Sequence, residues 1–383
     1  MLISNFSGDW NGLKQRYEQW WNGENTDGPI MGVIAPSGTP NPDGGRVSDR
    51  WVESSSKEGL NLSEKKAAQR SEKELRDMWT DPQTIMARNV AMFAGAHATG
   101  DSYPRISCPL GPASLVPFMG AEPVFTEDTV WFHPMFDSAV GAELSFDCNN
   151  PWLKWSMETT AWLRDNEQQR YITGIPELCE TFDVLGLMFD SDTYLMELLE
   201  NPDDIHRLLK IIQDAWFKAY DLHHELLADA EGYCCYGAFA LLGKGKVAKI
   251  QCDMSTMISP DMFREFVMPY LREMTERLDK TLYHVDGEGA LVHLEDILKL
   301  EKLDVLQWTP GAGKPDGGDE QWDFIYEKAL DAGKRIYALV HPKNLARFVT
   351  RFGGKGVYIV TQATGPEMAD QLVAASKQLS AGR

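Results

Sequence analysis

The second half of this chain limits its fold most. Apolar segments at 171–175, 233–238, 248–252, 281–285, 304–308, 335–340 and 356–361 have strand character, and helical patterns occupy 192–229, 260–279, 290–300, 320–332 and 343–352 between most of them. Alternation sustained over roughly 200 residues calls for parallel strands joined by right-handed helical crossovers. A closed barrel and an open doubly wound sheet both satisfy it. At 383 residues the chain falls within the roughly 200 to 400 residues that one α/β barrel takes. It has no fixed-period repeat and no low-complexity tract. We therefore expect a single α/β domain over 1–383, with 1–100 forming mostly an N-terminal helical extension and the first barrel elements.

In that extension, residues 9–22 read as an amphipathic helix and the run from Pro29 to Ala35 as a first strand. Residues 37–56 are rich in Gly, Pro, Ser and Asp and read as a long loop. A helical pattern follows from Leu62 to His97, punctuated by Asp81-Pro82. Residues 106–110 form a further short strand.

Charge narrows the partners. With 57 acidic against 37 basic residues the net charge is −20, which repels phosphate backbones and anionic lipid, so neither nucleic acid nor a membrane surface is expected. The partner expected is a small-molecule substrate. The six cysteines contain no CxxC pair and read as thiols of a reducing compartment. The N-terminus lacks the basic start and apolar run of a signal peptide. No apolar run is long enough to span a bilayer, and cytoplasm is the default location.

The glycine clusters do not spell nucleotide binding. Gly243-Lys244-Gly245-Lys246 reads as a β-turn between two apolar runs, and Gly311 to Pro315 is followed by Pro and Gly rather than a helix. No GxSxG elbow occurs, which disfavours a serine hydrolase of that type.

In an α/β barrel, chemistry collects just beyond the C-terminal strand ends. The most pointed segment is Thr281-Leu-Tyr-His-Val-Asp-Gly-Glu. His284 and Asp286 stand two apart at a strand end and so face the same side. An imidazole and a carboxylate there can hold a divalent metal or work as an acid/base pair. Glu177, with Glu180 beside it, follows another strand. Asp253 lies in a loop just before Ser259-Pro260, a good N-cap with proline at the first helical position. His341 ends the strand before Pro342. These five, His284, Asp286, Asp253, Glu177 and His341, are the catalytic candidates. Gln307 and Gln362 are candidate polar contacts to substrate, Trp308 a stacking wall, and Trp131 with His133 an aromatic loop covering the site. His206, His223 and His224 fall within helices, and His293 on the first turn of one.

These residues also carry a resemblance. The segment from Asp253 through Ser259-Pro260 to Pro269-Tyr270-Leu271 is similar to a stretch found in the uroporphyrinogen decarboxylase-like superfamily, above all in its corrinoid-linked methyltransferase branch. Tyr283-His-Val-Asp-Gly287 falls where those methyltransferases carry an HxCG zinc motif, and Ala338 to Pro342 where the family often has a GNVDP-like turn. Leu110 to Leu115 and Gly120 to Trp131 look like a subgroup described as trimethylamine corrinoid proteins. The likeness covers most of the chain. It implies a (β/α)8 TIM-type barrel with a deep C-terminal cleft, a bound divalent metal (zinc or another), a methylcobamide as methyl donor or acceptor, and a corrinoid protein as partner.

The departures fall on the chemistry. His284 matches the first zinc ligand of that branch, but Asp286 stands in place of the second, a cysteine, and Thr361-Gln362 lies about where the third, also a cysteine, belongs. Two thiolates are missing, and an oxygen-richer site is harder than one made for thiol alkylation. The decarboxylase itself is a poorer match. Arg46 and Arg50 do not form its N-terminal arginine motif, and a substrate with many carboxylates calls for a cationic cleft. The reading that follows is a methyltransferase or demethylase of a small methylated compound. Its alternatives are a lyase or hydrolase acting on a polar small molecule such as a sugar derivative, and a ligand-binding protein without catalysis.

Overall fold

In the computed structural model of the chain, residues 9–37 and 70–381 are described. Arg46 and Arg50, the loop expected over 37–56 beyond its first residue, and the beginning of the helical pattern from Leu62 lie outside the described residues.

Thirteen strands occur among the described residues. In chain order they are β1 (Ile30–Pro36), β2 (Ala96–Gly100), β3 (Arg105–Ser107), β4 (Pro123–Phe125), β5 (Val130–Phe132), β6 (Ile172–Gly174), β7 (Tyr233–Tyr236), β8 (Leu241–Lys244), β9 (Val247–Gln251), β10 (Lys280–Asp286), β11 (Val305–Thr309), β12 (Arg335–Leu339) and β13 (Val357–Gln362). The main sheet runs β2-β1-β13-β12-β11-β10-β9. Every pairing in it is parallel except β1 with β2. β3 and β6 form a separate parallel pair, and β7 and β8 an antiparallel hairpin. β6 reaches that hairpin through an Ile175–Tyr236 bridge, and β7 packs beside β9. The fold is thus α/β around a mostly parallel sheet. Among the described residues the hydrogen-bonded ladder is not closed, because short strands at β3, β6 and β7 interrupt it.

Parallel strands covered on both faces read as near-continuous apolar runs, and β9 to β13 do so, with Ile250, Leu282, Val305, Leu306, Ile336, Val357 and Ile359 fully buried. The helix Pro202–Leu227 covers one flank. It buries Leu208, Ile212, Trp216 and Tyr220 at every fourth position, the spacing that keeps side chains on one helical face. The helical pattern expected over 192–229 is two helices, Ser191–Glu200 and Pro202–Leu227. They part where Pro202 restricts the residue before it and supplies no amide proton.

Caps set the entries. Ser259 accepts from the amide of Met262 at 3.2 Å ahead of Pro260, as the sequence predicts. Asp81 accepts from Thr84 at 2.8 Å and divides the helices Glu72–Thr80 and Pro82–Ala94. At the end of β10, Gly287 has φ +79, a conformation that costs a residue with a Cβ and that swings the chain away just after Asp286. The N-terminal helix Trp10–Trp21 buries Tyr17, Trp20 and Trp21, and the Tyr17 hydroxyl meets that of Tyr358 on β13 at 2.8 Å. No helix among the described residues is long and apolar enough to cross a membrane.

Candidate functional site

The register lines up one row of side chains across the sheet. Gln251 on β9 stands opposite His284 on β10, which stands opposite Gln307 on β11, then Tyr337 on β12 and Tyr358 on β13. One residue on, Trp308 must face the other way, because side chains alternate along a strand. It is fully buried, with its ring 5.2 Å from that of Trp322. The stacking wall expected at Trp308 is therefore corrected: this ring belongs to the layer between sheet and helices.

His284 sits in a set orientation. The Gln307 amide nitrogen donates to the Trp308 carbonyl at 2.8 Å and to the Thr309 hydroxyl at 2.9 Å. Both its protons are then engaged, so the Gln307 Oε1 accepts from His284 Nδ1. That contact assigns the proton to Nδ1 and leaves Nε2 with a free lone pair. Burial, reinforced by the charge of Lys249, pushes the imidazole pKa down to about 4. The ring is neutral at pH 7. Phe239 packs against it with ring centroids 5.0 Å apart.

Two carboxylates converge on this imidazole. Asp253, His284 and Asp286 each offer one ligand atom, and these atoms all lie within 4.8 Å of one another. Asp286 shares its strand and side with His284. Asp253 opens the short 3-10 helix Asp253–Met257, which is held by Asp183: that carboxylate accepts from the amides of Asp253 at 2.7 Å and Met254 at 3.0 Å. Burial first, and then the neighbouring charge of Asp183, raise the Asp253 carboxyl to about 7. Burial raises Asp286 as well. A neutral imidazole nitrogen with two carboxylates in reach fits a divalent cation that accepts mixed nitrogen and oxygen ligands.

Behind this cluster lies a buried relay. Lys249, fully buried on β9, pairs with Glu177 and lies 3.9 Å from Glu180. It donates to Gln251 Oε1 at 2.6 Å, and the Gln251 amide nitrogen donates in turn to Asp253 Oδ2 at 2.8 Å. A buried ammonium is tolerable only with partners of this kind. Burial, opposed by Lys249, lifts the Glu180 carboxyl well above its ordinary range. Lys249 and Asp183 were not among the residues picked out from sequence. A lysine interrupting the apolar run Val247–Ile250 is the signal that identifies the first. Asp183 carries none, since its role depends on a contact 70 residues away.

The remaining candidates are dispersed. Glu177 joins the relay through Lys249. His341 is the N-cap of the helix Pro342–Phe352: its Nδ1 accepts from the Lys343 amide at 3.1 Å. It lines a second cleft with Lys314, Asp316 and Gln362. Gln362 also borders another cleft, of about 690 Å3 counting the space open to solvent, beside β1, β12 and β13. Trp131, 60% exposed, and His133 stand on and beside the β4–β5 hairpin. No contact ties either of them to His284.

No protein-family model matches the chain, and no curated protein matches it. A methyltransferase from Methanosarcina mazei is similar in structure, with a TM-score of 0.58 at 15% identity, covering 96% of this chain and 98% of that one. The two chains share a fold over nearly their whole lengths.

Proposed function

We propose that the chain is a metal-dependent enzyme of methyl transfer, acting on a small methylated compound and passing the methyl group to a corrinoid held by a partner protein. The observation that carries this reading is the convergence of Asp253, Asp286 and the free nitrogen of His284, with that imidazole fixed by Gln307. The shared fold with a methyltransferase supports the reaction class. The motif resemblance supports the uroporphyrinogen decarboxylase-like superfamily and a single barrel domain. The β6–β7 bridge, the packing of β7 beside β9 and the β13–β1 pairing are what a curled sheet approaching closure requires.

His284, Asp286 and Asp253 would hold the ion. What a divalent ion supplies when bound is Lewis acidity toward the heteroatom that bears the methyl group. The rest falls to side chains. The heteroatom keeps the electron pair of the breaking carbon–heteroatom bond and takes its proton from solvent, because Asp253, as a ligand, would be held ionised. Lys249 and Gln251 hold that carboxyl in position, and Phe239 keeps water from one face of the imidazole. With one nitrogen and two oxygens in place of thiolates, this site is harder than a thiol-alkylating one, which argues for an amine or ether substrate.

The test is transfer to free cob(I)alamin, followed by its absorbance, with a panel of methylated amines, ethers and thiols. We expect methylcobalamin with at least one amine or ether and a loss of at least 100-fold in His284→Ala. Absence of transfer with every member of the panel, from protein carrying its metal, would overturn the reading.

A further inference from the structure

Arg105 on β3 is a cation without a carboxylate. Its Nε donates to the Gly237 carbonyl at 2.7 Å, and no Asp or Glu among the described residues forms an ion pair with it. Arg16, Arg207, Arg264 and Arg347 each meet a carboxylate, whereas Arg170 is held by the carbonyls of Asn166 and Glu167. The fully buried Lys249 also meets a carboxylate, Glu177, and the buried Lys334 is satisfied by the carbonyls of Leu300 and Glu301. The groups around Arg105 are the phenols of Tyr103, Tyr337 and Tyr358 and the thiol of Cys235. Burial pushes Tyr358 up to about 12 and Cys235 up to about 11, so at pH 7 all are neutral and none balances the charge. In a chain of net charge −20, carboxylates are plentiful, yet none among the described residues is set against this guanidinium.

The position has a geometry that gives the charge a use. Arg105 lines the 690 Å3 cleft together with Tyr103, Tyr337 and Tyr358. The bond from Nε to Gly237 orients the planar guanidinium, and its two terminal nitrogens have no hydrogen-bond partner among the described residues. The same segment leads to the metal-ligand candidates. Ala240 borders the cleft, and the ring of Phe239 lies 5.6 Å from that of Tyr337 and 5.0 Å from that of His284. Phe239 and Ala240 both hold positive φ, +57 and +52, a backbone state that side chains with a Cβ adopt at a cost and that recurs where ligands are clamped.

We infer that Arg105 is a binding residue for the carboxylate of a small, otherwise apolar monoanionic ligand seated in this aromatic cleft. A single guanidinium with no second cation beside it matches one planar carboxylate, accepted through two parallel N–H bonds. A phosphate dianion would call for more positive charge. For its place in catalysis this inference rests on the methyl-transfer reading: the ligand's other end, over Phe239, would be the part that approaches His284. The anion site itself stands apart from that reaction.

The experiment compares benzoate with benzamide, equal in shape and different in charge, by ligand-observed NMR titration of the full chain. EDTA is present, so that no metal binds the anion. Benzoate should bind at least 10-fold more tightly than benzamide. Arg105→Met should abolish that preference, and Arg105→Lys, which keeps the charge but loses the fork, should weaken benzoate at least 3-fold. Equal binding of the two compounds by the wild type overturns the inference, as does a preference unchanged in either variant. Should Arg105→Met fail to fold, the wild-type comparison and Arg105→Lys decide the matter. Because neither metal nor corrinoid enters the assay, failure here leaves the methyl-transfer reading untouched, and failure of methyl transfer leaves this site standing.

Discussion

Gln307 has no acid–base chemistry of its own, yet its amide decides which nitrogen of His284 faces Asp253 and Asp286. Replacing it by alanine removes the acceptor that fixes the tautomer and frees the ring to rotate. Loss of such a supporting partner costs metal sites about 10- to 100-fold in affinity. Gln307→Ala should therefore weaken zinc by that factor, measured by chelator competition, and leave the melting temperature within a few degrees. A second histidine tests burial alone. His223 is enclosed, bonded to Ser156 Oγ at 2.9 Å and the Ala219 carbonyl at 2.7 Å, and burial lowers its pKa to about 4. An unfolded histidine takes up its proton near 6.5, so between pH 6.5 and about 4 the unfolded chain binds more protons at this position than the folded one. The contribution of His223 to stability is complete above pH 6.5 and falls as pH falls. Against His223→Gln, the wild type should lose about 1.4 kcal/mol for each pH unit through that window. Urea denaturation of both at pH 7, 6 and 5 checks the sign, and a constant difference would contradict it.

The elements divide into those whose ends carry chemistry and those that hold the ends still. The short helix Thr181–Gly186 belongs to the second kind. Its Asp183 satisfies two amides of the turn that begins with Asp253. Asp183→Ala leaves those amides without their acceptor, a cost of about 1–3 kcal/mol, and it should loosen Asp253 without touching β10. We expect reduced stability together with faster amide exchange at Asp253 and Met254. Unchanged exchange at those two amides would show that something else holds the turn. At this scale, much was legible from sequence. The strands expected at 281–285, 304–308 and 356–361 lie within a residue or two of β10, β11 and β13, because buried parallel strands leave unbroken apolar runs. β2 (Ala96–Gly100) was missed, absorbed into the helical pattern that ends at His97. With Thr99 its single β-branched residue, it carries little strand signature of its own, and its pairing with β1 is what makes it a strand. The same dependence on distant contacts explains the site. His284 and Asp286 were visible because a two-residue spacing at a strand end is local. The Gln307 partnership, the Lys249 relay and the inward-facing Trp308 depend on register between strands, which no single segment states.

For the whole molecule, the charge distribution is the organising fact. In a chain of net charge −20, Lys249 sits among carboxylates and Arg105 among phenols. The first offsets buried acids behind the candidate metal ligands, and the second faces a cleft. The segment Gly237–Ala240 touches both regions, since Gly237 accepts from Arg105 and Phe239 packs on His284. This segment links β3 (Arg105–Ser107) to β10 (Lys280–Asp286), strands far apart in sequence that belong to different sheets. The central claim is that Asp253, His284 and Asp286 form a metal site, and metal content tests it most directly. Wild type and His284→Ala would be loaded in turn with zinc, manganese, nickel and iron, desalted, and analysed by inductively coupled plasma mass spectrometry. The account predicts close to one equivalent of one of these metals in the wild type and its loss in the variant. Metal-free protein in both, or equal metal in both, would contradict it.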